Sequence, residues 1–134
     1  QNEVADRLAA PPGNMSLLSV MAQYYAQVEK KFFVPRTAFD PVPAVDSAVI
    51  QLTPQYSFDK AEDIRVFRVI RAGFSAKRKT LANNLATAFH VHRTVVEQLL
   101  ASLGLTSMIR AQELSVAQWR ALADLVEETI DAKT

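Results

Sequence analysis

The chain has 134 residues, of which 49% are hydrophobic and 22% charged, and its formal net charge is +1. These values are typical of one folded domain or two small ones, and they exclude a disordered or collagen-like chain. No apolar run approaches the ~20 residues that a bilayer-spanning helix requires, and the absence of cysteine excludes disulfides and thiolate chemistry within these residues, which fits a cytoplasmic protein.

The chain begins with two predicted helices. Apolar residues at helical spacing indicate a first helix over residues 4–9, which a turn at residues 11–14 ends. Ser16 is placed to cap a second helix that runs from Leu17 to about Ala26. Both helices are short, so they need a partner layer to bury their apolar faces.

Two predicted strands follow, at residues 28–34 and 45–52, and the proline-rich loop 35–43 joins them. A two-stranded ribbon with two short helices is marginal in water, because it buries too little of either face. We therefore expect residues 1–53 to be the end of a larger sheet domain whose other strands lie upstream of Gln1.

The second half of the chain is predicted to be helical. Residues 54–60 are polar and lack periodicity, which indicates a linker, and residues 61–134 are predicted to form a small all-helical domain. Trp119 lies on the apolar stripe of the last helix and is predicted to be a core residue. The four predicted helices begin near Asp59, Thr80, Thr94 and Ser115. The third is predicted to end at Leu103, before Gly104, and Ser115 and Gln118 have the spacing of a capping box at the start of the last.

The first of these four helices carries two different faces. Its predicted apolar face consists of Ile64, Phe67, Ile70 and Phe74. Three arginines are displaced from that face at successive i, i+3 positions and are expected to share one surface: Arg65, Arg68 and Arg71.

Charge is segregated along the sequence. Residues 59–93 carry eight basic and three acidic residues, whereas the segments on either side carry more acidic than basic residues. From Arg65 to Lys79 there are six basic residues and no acidic one. Such a field is what a phosphate backbone selects, and the alternative is a solvated helix face.

Two segments are candidates for binding a nucleic acid. In the proline-rich loop, Phe39 is either a stiff aromatic wall suited to stacking on a flipped base or a residue tucked under the ribbon. The run Lys77, Arg78, Lys79 precedes a helix start, where charge and free N–H groups together bind phosphate. The alternative for this run is a solvated loop.

The sequence gives little support for metal binding or nucleotide-cofactor binding. His90 and His92 would diverge by about 200° on a helix and have no cysteine or acidic pair beside them, so no metal site is predicted. Gly13, Gly73 and Gly104 lie too far apart to form a phosphate-cradling turn, so no nucleotide-cofactor fingerprint is present.

Four blocks of the sequence carry a family resemblance, in order and with matching spacing. They are QNEVADRL at residues 1–8, LSVMAQYY at 18–25, FxPxPxVDSAV at 39–49 and FSAKRKTLxNNL at 74–85. With these blocks the chain resembles the carboxy-terminal half of the ribosomal RNA adenine-N6,N6-dimethyltransferases of the KsgA type, which act on small-subunit rRNA.

The resemblance implies the α+β end of a Rossmann-like methyltransferase sheet, with two helices and a two-stranded antiparallel ribbon, followed by a small helical domain. It implies an enzyme of ribosome biogenesis that takes methyl groups from S-adenosylmethionine. The site for this cofactor is expected upstream of Gln1, and no catalytic or cofactor-binding residue is expected within the chain. The implied partners are immature small ribosomal subunits and the missing N-terminal half of the methyltransferase domain, without which the chain is expected to be inactive.

The resemblance also implies roles for individual residues. Phe39 would stack on the target adenine, and Pro41 and Pro43 would stiffen its loop. Contacts with the rRNA backbone would come from Lys77, Arg78 and Lys79, with Arg68 and Arg71 as weaker candidates. The alternative function is a non-catalytic RNA-binding or ribosome-assembly module.

Overall fold

The computed structural model describes residues 1–55 and 59–131. Six α-helices and one two-stranded sheet are found in these two ranges: α1 (Asn2–Leu8), α2 (Leu17–Tyr25), β1 (Ala26–Val34), β2 (Ser47–Pro54), α3 (Lys60–Gly73), α4 (Leu81–Phe89), α5 (Arg93–Ser102) and α6 (Val116–Thr129). Part of the predicted linker, residues 56–58, lies outside the described residues. None of the described helices has the length and apolarity that crossing a membrane would require.

Side-chain caps fix the helix starts that the sequence predicted. The Ser16 hydroxyl accepts from the N–H of Ser19 at the start of α2, and the Asp59 carboxylate accepts from two N–H groups in the first turn of α3. Ser115 and Gln118 form the predicted capping box of α6. These polar groups fix where each helix begins, which periodicity alone would place only within a few residues.

Gly104 ends α5 with a positive φ of 73°. The N–H of Leu105 donates to the carbonyl of Leu100 at 2.9 Å, and the N–H of Gly104 donates to that of Ala101 at 3.0 Å. This pair of bonds is the Schellman arrangement, which favours glycine at the left-handed position. The predicted stop of this helix at Gly104 is confirmed.

The two strands form an antiparallel ribbon with one irregularity. The register runs from Ala26 opposite Pro54 to Lys30 opposite Ile50, and then shifts so that Phe32 lies opposite Val49. Because of the extra residue in β1, the side chains after it point to the opposite face of the ribbon from the one that strict alternation would give. β2 begins at Ser47, two residues later than predicted, because residues 45 and 46 belong to the loop that precedes it.

One apolar core joins α2 to the four helices that follow the ribbon. Val20 and Tyr24 of α2 lie in the same buried cluster as Val66, Leu85 and Trp119. Trp119 is fully buried, as predicted. The amino-terminal helices therefore do not stand apart from the helical part of the chain.

The predicted apolar face of α3 is wrong at Ile64, which is 61% exposed. The helix instead buries Val66 and Val69 together with Phe67 and Ile70. Ile64 and Val66 are about 200° apart on a helix, so only one of them can face the core. Because α3 packs against both α4 and α6, its buried stripe is rotated towards the two valines.

A buried carboxylate connects α2 to α3. Asp63 is 3% exposed, and its two oxygens accept hydrogen bonds from the hydroxyls of Tyr24 at 2.8 Å and Tyr25 at 3.3 Å. The guanidinium of Arg120, on α6, lies 4.3 Å from the centre of the Tyr24 ring and donates to the Tyr24 carbonyl at 3.3 Å. Tyr24 of α2 therefore contacts both Asp63 of α3 and Arg120 of α6.

The environment of Asp63 also changes the chemistry of Tyr25. Burial, the charge of Asp63 and the hydrogen bond to it raise the pKa of Tyr25 above its ordinary value of 10.0. A raised pKa means that folding favours the protonated phenol. This contribution to stability is fully present below pH 10.0 and is lost as the pH rises through the folded-state pKa.

Candidate nucleic-acid interface

The loop that carries Phe39 is held at both ends. The Asp46 carboxylate accepts a hydrogen bond from the N–H of Arg36 at 2.8 Å, and the Asp46 carbonyl accepts from the N–H of Asn2 at 3.0 Å. Between these anchors a single 3₁₀ turn, Arg36–Ala38, leads directly to Phe39. The loop therefore has little freedom to swing away from the ribbon.

Phe39 itself is 46% exposed. Of the two placements that the sequence left open, the structure shows the exposed one, in which the ring does not lie under the ribbon. Pro41 is exposed, Pro43 is half-buried, and the Asp40–Pro41 peptide bond is cis. Stacking of Phe39 on a base stays a prediction.

The basic loop, residues 74–80, connects α3 to α4. The side chains of Lys77, Arg78 and Lys79 are all exposed. A turn closed by the N–H of Lys79 and the carbonyl of Ala76, at 3.1 Å, presents them just before the start of α4. Among the described residues none of the three cations has an ion-pair partner, so their charge is available to an external anion.

The buried side chain of Asn84 anchors the basic loop. Its side-chain amide donates to the carbonyls of Gly73 at 2.8 Å and Ala76 at 3.0 Å, and the residue is only 4% exposed. One buried side chain therefore ties the end of α3 to the turn that carries the cations. Our sequence analysis missed this role, for which the available signal was an amide between the apolar positions Leu81 and Leu85 of a short helix.

The start of the loop is packed tightly against α6. A Cβ atom added to Gly73 would lie 2.5 Å from the Trp119 ring and 2.8 Å from the Leu81 side chain. Only glycine permits such a close approach. The backbone that precedes the basic loop is therefore fixed by the core as well as by Asn84.

The arginines of α3 differ in what they contact. Arg65 pairs with Asp124 at 2.8 Å and Glu127 at 3.3 Å. Burial acts to lower the pKa of Arg65, but the hydrogen bond and charge of Asp124 and the charge of Glu127 outweigh it and raise that pKa. Arg65 therefore stays charged and is engaged within the protein.

Arg68 is also occupied, whereas Arg71 is not. Arg68 pairs with Asp131 at 2.7 Å and lies 4.9 Å from the centre of the Phe89 ring. Arg71 is exposed and has no ion pair among the described residues. Acidic residues of α6 and of the turn after it therefore hold Arg65 and Arg68. That the three guanidinium groups share one surface stays a prediction.

A further cation, which our sequence analysis did not select, joins the basic loop. Arg110 lines the same pocket as Lys77 and Lys79, although it lies more than thirty positions along the chain. The N–H of Leu81 donates to the carbonyl of Ile109 at 2.9 Å, and this bond brings the two segments together. The sequence signal was a single basic residue in a turn, which is too weak to select on its own.

The two histidines have structural positions. His92 caps α5, where its Nδ1 atom accepts from the N–H of Thr94 at 3.2 Å, and His90 ends α4 in the left-handed conformation with a φ of 56°. Within residues 1–55 and 59–131, no group of three or more potential ligands is arranged to hold a metal ion.

Comparisons with known proteins identify relatives over most of the chain. The sequence profile of the family described as "Ribosomal RNA adenine dimethylase" matches residues 1–128. Ribosomal RNA small subunit methyltransferase A of Desulfitobacterium hafniense is 40% identical and aligns with 98% of this chain but 48% of its own length. The protein of the same name from Acaryochloris marina is 43% identical, with 94% of this chain and 47% of its own length covered. The chain therefore spans about half the length of the curated relatives it matches.

Solved structures show the same fold. The 23S rRNA methyltransferase ErmE superposes with a TM-score of 0.70 at 25% identity, over 92% of this chain and 51% of that protein. A dimethyladenosine transferase from Plasmodium falciparum superposes with a TM-score of 0.72 at 23% identity, over 94% of this chain and 55% of that protein. The predicted fold class, the end of a Rossmann-like methyltransferase sheet with helices, is confirmed.

The clamp by Asn84 can be tested by substitution. We expect Asn84→Ala to lower the free energy of unfolding by about 1–3 kcal/mol, because two buried carbonyls lose their donor. Asn83→Ala is the matched control, since its side chain makes no hydrogen bond with the described residues; a change within about 0.5 kcal/mol is expected there. Urea denaturation measures both values, and equal effects of the two substitutions would contradict the clamp.

Proposed function

The chain belongs to the ribosomal RNA adenine dimethylase family, and from this premise we propose that it is the RNA-binding half of an S-adenosylmethionine-dependent adenine-N6,N6-dimethyltransferase that modifies small-subunit rRNA during ribosome biogenesis. The observation that carries the proposal is the pairing of two exposed features on one folded unit. An aromatic ring stands on an anchored loop, and a basic loop without internal counterions stands on the helical part. A cytoplasmic location stays a prediction.

The ring and the basic loop suit different parts of an RNA. A base that has left its stack loses stacking energy, which an exposed aromatic side chain restores in part. Phe39 would take this role, with Pro41 and Pro43 limiting the movement of its loop. Lys77, Arg78 and Lys79 would bind phosphates and set the register of the RNA, and Arg71 is available to extend that contact.

Arg68 is a weaker candidate for RNA contact than the basic loop. Its ion pair with Asp131 would have to be broken, or the acid would repel a nearby phosphate. Binding of rRNA by this arginine would therefore gain less free energy than binding by a cation without a partner.

The chemistry that this half contributes is positioning. The lone pair of adenine N6 is conjugated into the ring, so the amine reacts only when it is held in line with its methyl donor. A stiff loop and a fixed phosphate grip restrict the base before the reaction. The three glycines of the chain lie far apart and do not form a glycine-rich turn, so we assign no residue here to the cofactor.

We place the cofactor site in an N-terminal half that lies outside these residues. Large apolar side chains of the ribbon are exposed, among them Phe32, Phe33, Val49 and Leu52. Each strand of the ribbon also pairs on only one side within the described chain. Further strands would cover these groups. The division into a sheet domain at residues 1–53, a linker at 54–60 and a helical domain at 61–134 stays a prediction; in the described residues β2 runs to Pro54 and α3 begins at Lys60.

A non-catalytic RNA-binding or ribosome-assembly module is the second candidate function. The basic loop favours it as much as it favours the enzyme, because phosphate contacts need no chemistry. The exposed Phe39 favours the enzyme, since docking on an RNA backbone does not require a base to be stacked. The two candidates therefore differ in what they require of Phe39.

The first test concerns the basic loop. We expect the combined substitution of Lys77, Arg78 and Lys79 by Ala to weaken rRNA binding and to flatten its salt dependence, by about 0.7–0.9 in the log–log slope for each phosphate that the protein no longer neutralises. Binding titrations over a range of salt concentrations measure this slope. Lys31→Ala is the control, because Lys31 is already paired with Glu29 at 3.0 Å. An unchanged slope in the triple variant would show that the loop is a solvated surface that does not contact rRNA phosphates.

The second test concerns Phe39 in the enzyme that carries this chain together with its cofactor half. We expect Phe39→Ala to lower the methylation rate about 5- to 150-fold, since stacking contributes about 1–3 kcal/mol per base, with little change in RNA affinity. Val42→Ala, at an exposed apolar position of the same loop, is the control. An unaltered rate in Phe39→Ala would favour the non-catalytic module.

A further inference from the structure

A pocket of about 280 Å³ opens beside the basic loop. It lies between the start of α2, the loop after α3 and the turn before α6. Its apolar lining consists of Met15, Leu17, Gly73, Phe74, Ala76 and Ala111. Its charged lining consists of Lys77, Lys79 and Arg110, and no acidic residue is among the described residues that line it.

These three cations have no internal counterion among the described residues, and in this they differ from five other basic side chains. Ion pairs hold Lys30, Lys31, Arg65, Arg68 and Arg93. Three like charges around one opening repel each other unless an anion lies between them. The pocket therefore favours a ligand that brings negative charge.

The apolar lining indicates that the ligand is more than an inorganic anion. Phosphate alone would gain no binding free energy from contact with Met15 or Leu17, whereas the apolar face of a nucleobase would. Phe74 is held in place by the Trp119 ring, at a centroid distance of 5.7 Å. The volume is near the lower end of the range of small-molecule pockets, about 300 Å³, which suits one base and not a large ligand.

The walls of the pocket are tied together before any ligand binds. The carbonyl of Gln112 accepts from the N–H groups of Gly13 at 2.9 Å and Met15 at 3.2 Å, which joins the turn before α6 to the start of α2. The bond from Leu81 to Ile109 joins the same turn to the basic loop. A preformed pocket loses less conformational entropy on binding than a flexible one.

We propose that this pocket binds one unpaired nucleotide of the RNA, with its base on the apolar lining and its phosphate on Lys77, Lys79 and Arg110. Phe39 is not among the lining residues, so the pocket is a second base-binding position, separate from the one proposed for the adenine that is methylated. The inference rests on the proposed RNA-binding function. It adds a position where the protein contacts a base of the RNA and not only the RNA backbone.

The experiment compares two single-stranded RNA decamers of mixed sequence, one intact and one with abasic riboses, in binding to the full chain. We expect the intact RNA to bind at least about fivefold more tightly, a difference of about 1 kcal/mol, the lower end for one stacked base. Gln112→Trp places an indole at the pocket and should abolish this preference. Lys31→Ala removes a cation of the ribbon that is paired with Glu29 and does not line the pocket, and it should retain the preference.

A photo-crosslinking arm reports the position directly. Decamers that contain 4-thiouridine should crosslink to peptides with Met15 or Phe74. Equal binding of intact and abasic RNA, with crosslinks elsewhere, would overturn the pocket while leaving the RNA-binding function standing. Absence of any salt-dependent RNA binding would overturn both.

Discussion

The architecture depends on the buried carboxylate of Asp63. A charge in the core is costly unless every partner is in place, and here two consecutive tyrosines at the end of α2 supply hydrogen bonds while Arg120 covers the Tyr24 ring. Tyr25 is followed immediately by the ribbon, and α3, which carries Asp63, ends at the basic loop. The same interaction therefore fixes the direction in which the ribbon leaves the helices and the position from which the cations project. The ribbon that leads to Phe39 and the helix that leads to the basic loop are therefore joined at this carboxylate.

The sequence blocks that carry the family resemblance divide into supporting and exposed residues. Gln23 donates to the carbonyls of Leu8 at 2.9 Å and Ala10 at 2.8 Å, and so joins α1 to α2. Asn84 does the same for the basic loop. Between such supports stand exposed residues, such as Lys77 and Lys79, whose side chains form no ion pair with the described residues. This arrangement is typical of a binding surface, where buried polar groups hold the backbone and exposed charges meet the ligand.

Local signals predicted most of the elements, because caps and turn residues act over three or four positions. Ser16, Asp59, Ser115 and Gly104 set helix ends that the structure confirms. Features that depend on distant partners were not predictable. Ile64 is exposed because α4 and α6 select a different stripe of α3, and Arg68 is engaged by Asp131, 63 positions away. Arg110 reaches the basic loop only through the fold. Exposure of Phe39 was one of two open alternatives, since periodicity does not decide which way a loop residue points.

We propose that this chain binds and orients RNA for a methyl donor that an N-terminal half outside these residues holds. The most direct measurement uses the purified 134-residue chain, with circular dichroism to establish that it is folded. Salt-dependent binding to small-subunit rRNA and transfer of labelled methyl groups from S-adenosylmethionine are then measured on one preparation. We expect binding without methyl transfer. Methyl transfer by the chain alone would contradict the placement of the cofactor site, and a folded chain that does not bind rRNA would contradict the role given to its surface.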